Sequence, residues 1–377
     1  MSAWPGKFVI GLTGNIATGK SVVRKMLEHL GAYGIDADAL GHRAIAREAP
    51  GYQAVVDTFG SWILGPDGQI DRSKLARIVF SDPEALARLE AIVHPLVRQA
   101  VDILIRRSSQ KVIVVEAIKL LEGPLRQWCD SVWVTYSQKE IQIARLTQKR
   151  AMSTAVAHQR VSAQPPQIEK IKLANTVIHN EGSFEDTWVQ VTKAWRELFP
   201  GEEPAIPRPV AAPQGVLMVE KARPRHAAEI ANLVGQLSNG KKKPTSEEIM
   251  AAFGEKAFLF LKLDGAQVGI AGWQVENLVE RTDDVFIDPS QPLPKAMEVL
   301  LKEIETTSRD LQCEVALLFL PPELSGQEEV WKGLGYEPRT IESLGVRAWQ
   351  EAAQETIGTG EAMFFKPLRK DRVLRPV

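Results

Sequence analysis

The sequence GNIATGKS at residues 14–21 constrains the fold of this chain more than any other feature. It fits the pattern G-x-x-x-x-G-K-[S/T], follows an apolar run at 8–12 and opens a segment with helical spacing at 20–30. A strand, a Gly-rich loop and a helix in this order direct backbone N–H groups and the helix N-terminus at a phosphate. The motif therefore predicts a nucleotide-binding α/β domain.

The residue types in this loop predict separate tasks in binding a nucleoside triphosphate and Mg²⁺. Lys20 reaches the β- and γ-phosphate oxygens, and the Ser21 hydroxyl is a ligand for Mg²⁺. The glycines permit backbone torsions that other residues avoid. We expect the nucleoside triphosphate to contact Gly14, Asn15, Ile16, Ala17, Thr18, Gly19, Lys20, Ser21 and Val22.

Two aspartates, Asp36 and Asp38, follow the next strand-like segment. In a parallel sheet the C-terminal ends of the strands line the ligand crevice. A carboxylate placed there can accept the proton of a hydroxyl group that attacks the γ-phosphate. Aspartate is also a common N-cap, and a helix is predicted at 39–46. The pattern leaves both roles open.

A Pro-rich segment divides the chain of 377 residues, which is more than twice the ~150 residues of a common domain. Residues 200–213 carry five prolines, which favour an extended spacer. The predicted domains are 1–199 and 216–377, joined by a linker at 200–215. In the first, continuous apolar runs at 112–118 and 132–136 predict buried strands of a parallel sheet.

The charge balance limits the partners of this chain. Lys and Arg total 46 against 47 Asp and Glu, a net charge of -1. A general nucleic-acid or anionic-membrane binder would carry a basic excess. We therefore expect a small-molecule substrate and no nucleic-acid or membrane partner. The two cysteines lie far apart in the sequence, and the N-terminal sequence does not have the pattern of a signal peptide. We therefore also expect a cytoplasmic protein without disulfides. The oligomeric state stays open.

The second half predicts an α+β domain. Its order is a strand, two helices, three strands, a helix and a strand, followed by mixed structure. Asp264 and Gly265 separate two apolar runs and form a strong signal for a two-residue hairpin.

The first half resembles the dephospho-CoA kinase family, which phosphorylates the ribose 3′-hydroxyl of dephospho-CoA in the last step of coenzyme A synthesis. The resemblance covers residues 7–199 and rests on an ordered set of motifs. These are IGLTGNIATGKS, IDAD at 35–38, DGQIDRSKLARIVF within 59–80, LEAIVHPLV at 89–97, RVSAQ at 160–164 and NTVIHNEG at 175–182. It implies the P-loop kinase fold, a parallel sheet with helices on both faces and a helical lid, with ATP and Mg²⁺ as cofactors.

The family pattern also implies roles for individual residues. Asp38 would be the general base, and Arg145 in the lid segment at 140–172 would face the transferred phosphoryl group. The residues on the acceptor side would be Asp36, Arg72, His94, Glu122 and Arg160.

Two positions depart from the family pattern. The third motif, at 116–122, reads EAIKLLE where the family usually carries an aspartate followed by P-L-L-F-E. Glu116 keeps a carboxylate that could hold Mg²⁺ through water. The lid usually presents two arginines four residues apart, whereas here Lys149 follows Arg145, with Arg150 beside it. Lysine neutralises phosphate charge but lacks the bidentate fork of arginine.

The second half resembles the acetyltransferase fold of the Gcn5-related N-acetyltransferase family. That family binds the pyrophosphate of acetyl-CoA in a loop of the form [QR]-x-x-G-x-[GA], and the matching stretch at 291–296 reads QPLPKA. Pro292 and Pro294 remove N–H donors from such a loop. We therefore expect a domain that is non-catalytic. Two alternatives for this domain are binding of CoA or acyl-CoA and acetylation of an amine. The alternative for the first half is another small-molecule P-loop kinase.

Overall fold

The computed structural model describes residues 3–79, 81–149, 152–201, 215–369 and 373–374. The predicted linker at 200–215 falls almost entirely on residues 202–214, which lie outside the described residues. The same holds for Phe80 and Arg150. The described residues form two sheets, one on each side of the linker segment.

The first sheet is parallel, which confirms the prediction from the continuous apolar runs. Its strands are β1 (Phe8–Thr13), β2 (Tyr33–Asp36), β3 (Val112–Glu116), β4 (Ser131–Tyr136) and β5 (Thr176–His179). They lie in the order β2-β3-β1-β4-β5, and each neighbouring pair is parallel. Because β1 is central, the loop that follows it opens in the middle of the C-terminal edge of the sheet.

Helices cover both faces of this sheet. They are α1 (Lys20–His29), α2 (Ala37–Ala44), α3 (Tyr52–Phe59), α4 (Arg72–Val79), α5 (Pro83–Arg107), α6 (Lys139–Lys149), α7 (Thr154–Ser162), α8 (Gln167–Ile171) and α9 (Phe184–Leu198), with 3₁₀ turns at Ser61–Ile63 and Pro124–Trp128. Successive strand residues point to opposite faces. Val9 and Ile113 pack with α2 and α5, whereas Ile10 and Val114 pack with α1 and α9.

The second sheet is mixed and has seven strands in the order β11-β12-β10-β9-β8-β7-β6. The strands are β6 (Leu217–Lys221), β7 (Ala257–Leu263), β8 (Ala266–Glu276), β9 (Val279–Ile287), β10 (Val315–Leu320), β11 (Glu337–Pro338) and β12 (Ala362–Pro367). Only β9 and β10 pair in parallel among these strands. The β7–β8 hairpin turns at Asp264 and Gly265, as predicted.

The helices of this half complete the predicted α+β domain. They are α10 (Ala227–Leu237), α11 (Ser246–Ala252), α12 (Leu293–Asp310), α13 (Pro322–Ser325), α14 (Glu328–Gly333) and α15 (Arg347–Thr356), with 3₁₀ turns at Pro224–His226 and Ile341–Ser343. None of the described helices in either half combines the length and hydrophobicity that a bilayer crossing requires.

The second half packs against α1, β2 and α2 of the first. Lys25 Nζ donates to the carbonyl oxygen of Val275 at 2.7 Å. Arg43 in α2 pairs with Glu314 at 2.6 Å, and both side chains are buried. Leu278, at the turn between β8 and β9, joins the apolar cluster under α2. The second half therefore touches the helices that follow the Gly-rich loop and the aspartate pair.

Candidate active site

The loop at 14–21 is a close-packed turn at the start of α1. Gly19, the residue before α1, has a left-handed φ of 90°. A Cβ atom at Gly19 would lie 1.8 Å from Asn180 Nδ2, and one at Gly14 would lie 2.3 Å from Thr135 Oγ1. Neither position has room for a side chain. The loop backbone therefore stays bare beside the helix N-terminus, which is the arrangement that binds phosphate.

Arg145 and Asn180 brace this loop from the side of β5 and α6. Arg145 donates through Nη1 to the carbonyl oxygen of Ala17 at 3.2 Å and through Nη2 to that of Asn180 at 2.8 Å. Asn180 Nδ2 donates to the carbonyl oxygen of Thr18 at 3.0 Å. The structure thus brings the predicted Arg145 to the loop. It also adds Asn180, a residue of the NTVIHNEG motif for which no role was predicted.

The segment between α7 and α8 covers the other side of the loop. Gln164 Oε1 accepts the N–H of Ile16 at 2.7 Å, and Asn15 Nδ2 donates to the carbonyl oxygen of Pro165 at 2.9 Å. Lys20 is the first residue of α1. Lys20 is buried, and its Nζ turns back to the carbonyl oxygen of Asn15 at 3.4 Å.

Ser21 and Glu116 meet at the C-terminal edge of the sheet. Ser21 Oγ donates to Glu116 Oε1 at 3.0 Å, and Arg24 Nε donates to Glu116 Oε2 at 2.8 Å. Burial of Arg24 opposes its charge, but the carboxylates of Glu28 and Glu116 raise its pKa overall, so the guanidinium stays charged. A hydroxyl and a carboxylate are oxygen ligands of the kind that Mg²⁺ prefers.

Asp36 is the N-cap of α2. Its carboxylate accepts the N–H of Ala39 at 2.9 Å, which starts the helix at Ala37, two residues before the predicted start. Burial and the neighbouring Glu116 raise the pKa of Asp36 to about 7, against the opposing charge of Arg24. The capping role that the sequence left open therefore belongs to Asp36.

The raised pKa of Asp36 predicts a pH-dependent cost in stability. The unfolded chain loses this proton near pH 4, whereas the folded chain holds it to about pH 7. The contribution of Asp36 to stability is therefore largest at low pH and is lost as the pH rises from 4 to 7. In Asp36→Asn this loss is absent, so the melting temperature of the variant relative to the parent should rise between pH 5 and pH 8.

The measurement is thermal unfolding of the full chain at both pH values without nucleotide or Mg²⁺. Asp310→Asn is the matched control, because Asp310 is an exposed carboxylate at the end of α12. The prediction would be wrong if the difference in melting temperature between Asp36→Asn and the parent were the same at pH 5 and at pH 8.

Asp38 lies one residue into α2 and points at the third motif. Its Oδ2 accepts the N–H of Ile118 at 3.0 Å. Burial raises the pKa of Asp38, while the Ile118 N–H and the charge of Lys20 oppose this rise. Asp38 is therefore free of the capping contact and lies within electrostatic reach of the lysine of the loop.

The sequence of the first half is similar to those of known proteins. A family model of dephospho-CoA kinase matches residues 8–186. The dephospho-CoA kinase of Geobacter metallireducens is 43% identical over 192 residues, which are 50% of this chain and 96% of the relative. The chain belongs to the dephospho-CoA kinase family. The dephospho-CoA kinase of Aquifex aeolicus is 42% identical over 190 residues, 50% of this chain and 96% of the relative.

The other acceptor-side residues that the family pattern implies differ in burial and in the side chains that they contact. Glu122 pairs with Lys170 at 3.6 Å. Arg72, at the start of α4, pairs at 3.3 Å with Glu351 of α15 in the second half. His94 is half-buried in α5, and Arg160 is exposed in α7. Among the described residues, Arg72, His94 and Arg160 share no hydrogen bond or ion pair with Lys20, Ser21, Asp36, Asp38 or Glu116.

Lys149 and Arg150 are the two candidates for the second cation of the lid. Lys149 is the last residue of α6, and its side chain, like the whole of Arg150, lies outside the described residues. Both stay predictions for the kinase.

Two solved structures are similar to parts of this chain. TT1252 from Thermus thermophilus is 32% identical and covers 52% of this chain and 99% of its own, with a TM-score of 0.47. An acetyltransferase of the GNAT family from Staphylococcus aureus is 10% identical and covers 41% of this chain and 100% of its own, with a TM-score of 0.33. At these TM-scores neither likeness assigns an activity.

The stretch at 291–296 in the second half forms the start of α12. Pro292 is the N-cap, and Pro294 lies in the first turn. Neither proline has an N–H to offer, so this helix start has fewer donors for a pyrophosphate than an ordinary one. The expectation of a non-catalytic domain, which rests on these two prolines, stays a prediction.

Proposed function

We propose that this chain transfers the γ-phosphoryl group of ATP to the ribose 3′-hydroxyl of dephospho-CoA, giving coenzyme A and ADP. Membership of the dephospho-CoA kinase family supports ATP-dependent phosphotransfer. The observation that carries the assignment of residues is the placement of Asp38 beside Lys20 and the third motif, with Asp36 taking the capping role. A site for the donor phosphates and a carboxylate for the acceptor thus share one edge of the sheet.

On the donor side, residues 14–22 would hold the phosphates of ATP. The glycine positions fit this ligand, because they keep side chains away from the backbone N–H groups of the loop. Lys20 would turn from the Asn15 carbonyl to the β- and γ-phosphates, and Arg145 would remain on the loop beside them. These charges would stabilise the negative charge that spreads over the transferred group.

Ser21 and Glu116 would hold Mg²⁺ together with the phosphates. The described residues contain no group of three or more His, Cys, Asp or Glu side chains that could hold a metal ion. The hydroxyl and the carboxylate would therefore share the ion with the nucleotide, as is usual for Mg²⁺. When bound, Mg²⁺ supplies charge neutralisation on the phosphate oxygens.

On the acceptor side, Asp38 would act as the general base. The 3′-hydroxyl oxygen would form a bond to the γ-phosphorus while the bond from that phosphorus to the bridging oxygen of ADP breaks. The hydroxyl proton would pass to the Asp38 carboxylate. The acceptor would be bound by Asp36, Arg72, His94, Glu122 and Arg160, and Lys149 would join Arg145 near the phosphoryl group.

The test is the choice of acceptor by the full chain. Dephospho-CoA, adenosine and shikimate are each supplied with ATP and Mg²⁺, and the phosphorylated product is identified by ³¹P NMR. We expect a new phosphomonoester on the 3′-oxygen of dephospho-CoA and no comparable product from the other two. Preferred phosphorylation of adenosine or shikimate would overturn the assignment.

A further inference from the structure

Lys170, in the short helix α8, is a buried cation that the proposed reaction does not use. Its side chain is 6% exposed. Its Nζ donates to the carbonyl oxygen of Ile118 and lies 3.6 Å from Glu122 Oε1. An apolar side chain of similar length would fill this space without the cost of burying an ammonium group. The cation therefore needs a reason beyond packing.

Lys170 acts on the same peptide group that holds Asp38. The N–H of the Ile118 residue donates to Asp38 Oδ2 at 3.0 Å. The carbonyl oxygen of Ile118 accepts from Thr13 Oγ1 at 3.0 Å and from Lys170 Nζ. Residue 118 is thus fixed on both of its backbone polar groups. A shift of this residue would move the donor on which the Asp38 carboxylate rests.

The helix that carries Lys170 is itself anchored beside the phosphate loop. Gln167, one turn earlier in α8, donates through Nε2 to the carbonyl oxygen of Ser137 at 2.8 Å. The carbonyl oxygen of Pro165, just before α8, accepts from Asn15 Nδ2 at 2.9 Å. Lys170 therefore extends from a segment that is tied to the donor side and reaches the backbone of the acceptor side.

We propose that Lys170 is a positioning residue of the kinase, which holds the backbone of Ile118 so that Asp38 is directed at the acceptor hydroxyl. The inference rests on the proposed role of Asp38. Ile118 and Glu122 both belong to the altered third motif, and both contact Lys170. The lid segment would therefore hold this motif in place through Lys170.

The first experiment compares Lys170→Met, Lys170→Arg and the control Lys172→Met in the full chain. Lys172 is the C-cap residue that follows α8, and it is exposed. In Lys170→Met we expect kcat to fall by about 10- to 100-fold, because small misplacements of a reacting group have effects of this size. KM for ATP should stay at the parent value. Lys170→Arg should recover most of the lost kcat, and Lys172→Met should match the parent.

A purely structural role would not give this division between kcat and KM or the rescue by arginine. Each variant is first checked by thermal unfolding. If Lys170→Met does not fold, Lys170→Gln takes its place. The amide nitrogen of glutamine is one bond nearer the backbone than the Nζ of lysine, so it does not reach the Ile118 carbonyl oxygen from the same backbone position. We expect this variant to show the same loss of kcat.

The second experiment combines Lys170→Met with Asp38→Asn. If Lys170 acts through Asp38, its replacement should have little further effect once the carboxylate is gone, so that the two losses are not additive. Additive losses, or a Lys170→Met variant with the kcat of the parent, would overturn the inference. If Asp38→Asn alone turns over like the parent, the proposed base role of Asp38 is wrong. If Asp38→Asn loses activity but the two losses are additive, only the positioning role of Lys170 is wrong. The two failures are therefore distinguishable.

Discussion

Replacing Asp38 with asparagine should lower kcat by about 10²–10⁴-fold and leave ATP binding nearly intact, because this is the usual contribution of a general base. The amide oxygen of asparagine can still accept the Ile118 N–H, so the local backbone should not move. What is lost is the ability to take the proton of the 3′-hydroxyl. Steady-state turnover with dephospho-CoA and a separate titration with an ATP analogue measure the two quantities.

Asp57→Asn is a suitable control for this variant. Asp57 is an exposed carboxylate in α3, where it accepts a hydrogen bond from Gln53. We expect its turnover to equal that of the parent. Parent-like turnover of Asp38→Asn would instead show that Asp38 serves only to hold the third motif, and the acceptor proton would need another base.

Replacing Lys20 with alanine should weaken ATP binding and phosphoryl transfer together. Lys20 is buried beside the loop, and removal of a positioned donor to a developing charge typically costs about 10²–10³-fold in rate. In the proposed mechanism Lys20 would contact the phosphates both before and during transfer, so the Kd for ATP should rise while kcat falls. Calorimetric titration and steady-state kinetics give the two values.

Lys193→Ala controls for the loss of a lysine that does not face the site, since Lys193 is exposed in α9. A Lys20→Ala variant that binds ATP like the parent would contradict the placement of the phosphates at the loop. One that binds ATP poorly but transfers at the parent kcat would limit Lys20 to binding.

Features fixed by local backbone geometry were predictable from the sequence. The phosphate loop needs a left-handed residue before α1, and Gly19 supplies it with a φ of 90°. The hairpin between β7 and β8 needs positive φ at both turn residues, which Asp264 and Gly265 adopt at 51° and 86°. Each of these signals lies within a few residues, so tertiary packing cannot easily override it.

The family resemblance implied Asp38 as the general base, but which of the two aspartates caps α2 was not predictable from the residue types. Both residues suit an N-cap, and both lie at or just after the C-terminal end of β2. The decision depends on the backbone N–H of Ile118, which lies 80 positions away in the sequence and reaches Asp38 only because β2 and β3 are neighbours in the sheet. The residue types at 36–38 do not by themselves contain this information.

The contact of Asn180 with the phosphate loop and that of Lys170 with the third motif were missed for a similar reason. Asn180 and Lys170 are polar residues in ordinary surroundings in the sequence, and their contacts with Thr18 and Ile118 arise from the fold of the first sheet. The position of β12 was also not predictable, because it pairs between β10 and β11 after a long excursion through α15. That helix brings Glu351 to Arg72.

The most direct test of the account is ADP release by the full chain with ATP and Mg²⁺, measured with and without dephospho-CoA. The account predicts that ADP forms rapidly only when dephospho-CoA is present and that coenzyme A forms in equal amount. ADP release at the same rate without the acceptor, or with the acceptor but without coenzyme A, would contradict the assignment of this chain as a kinase that acts on dephospho-CoA.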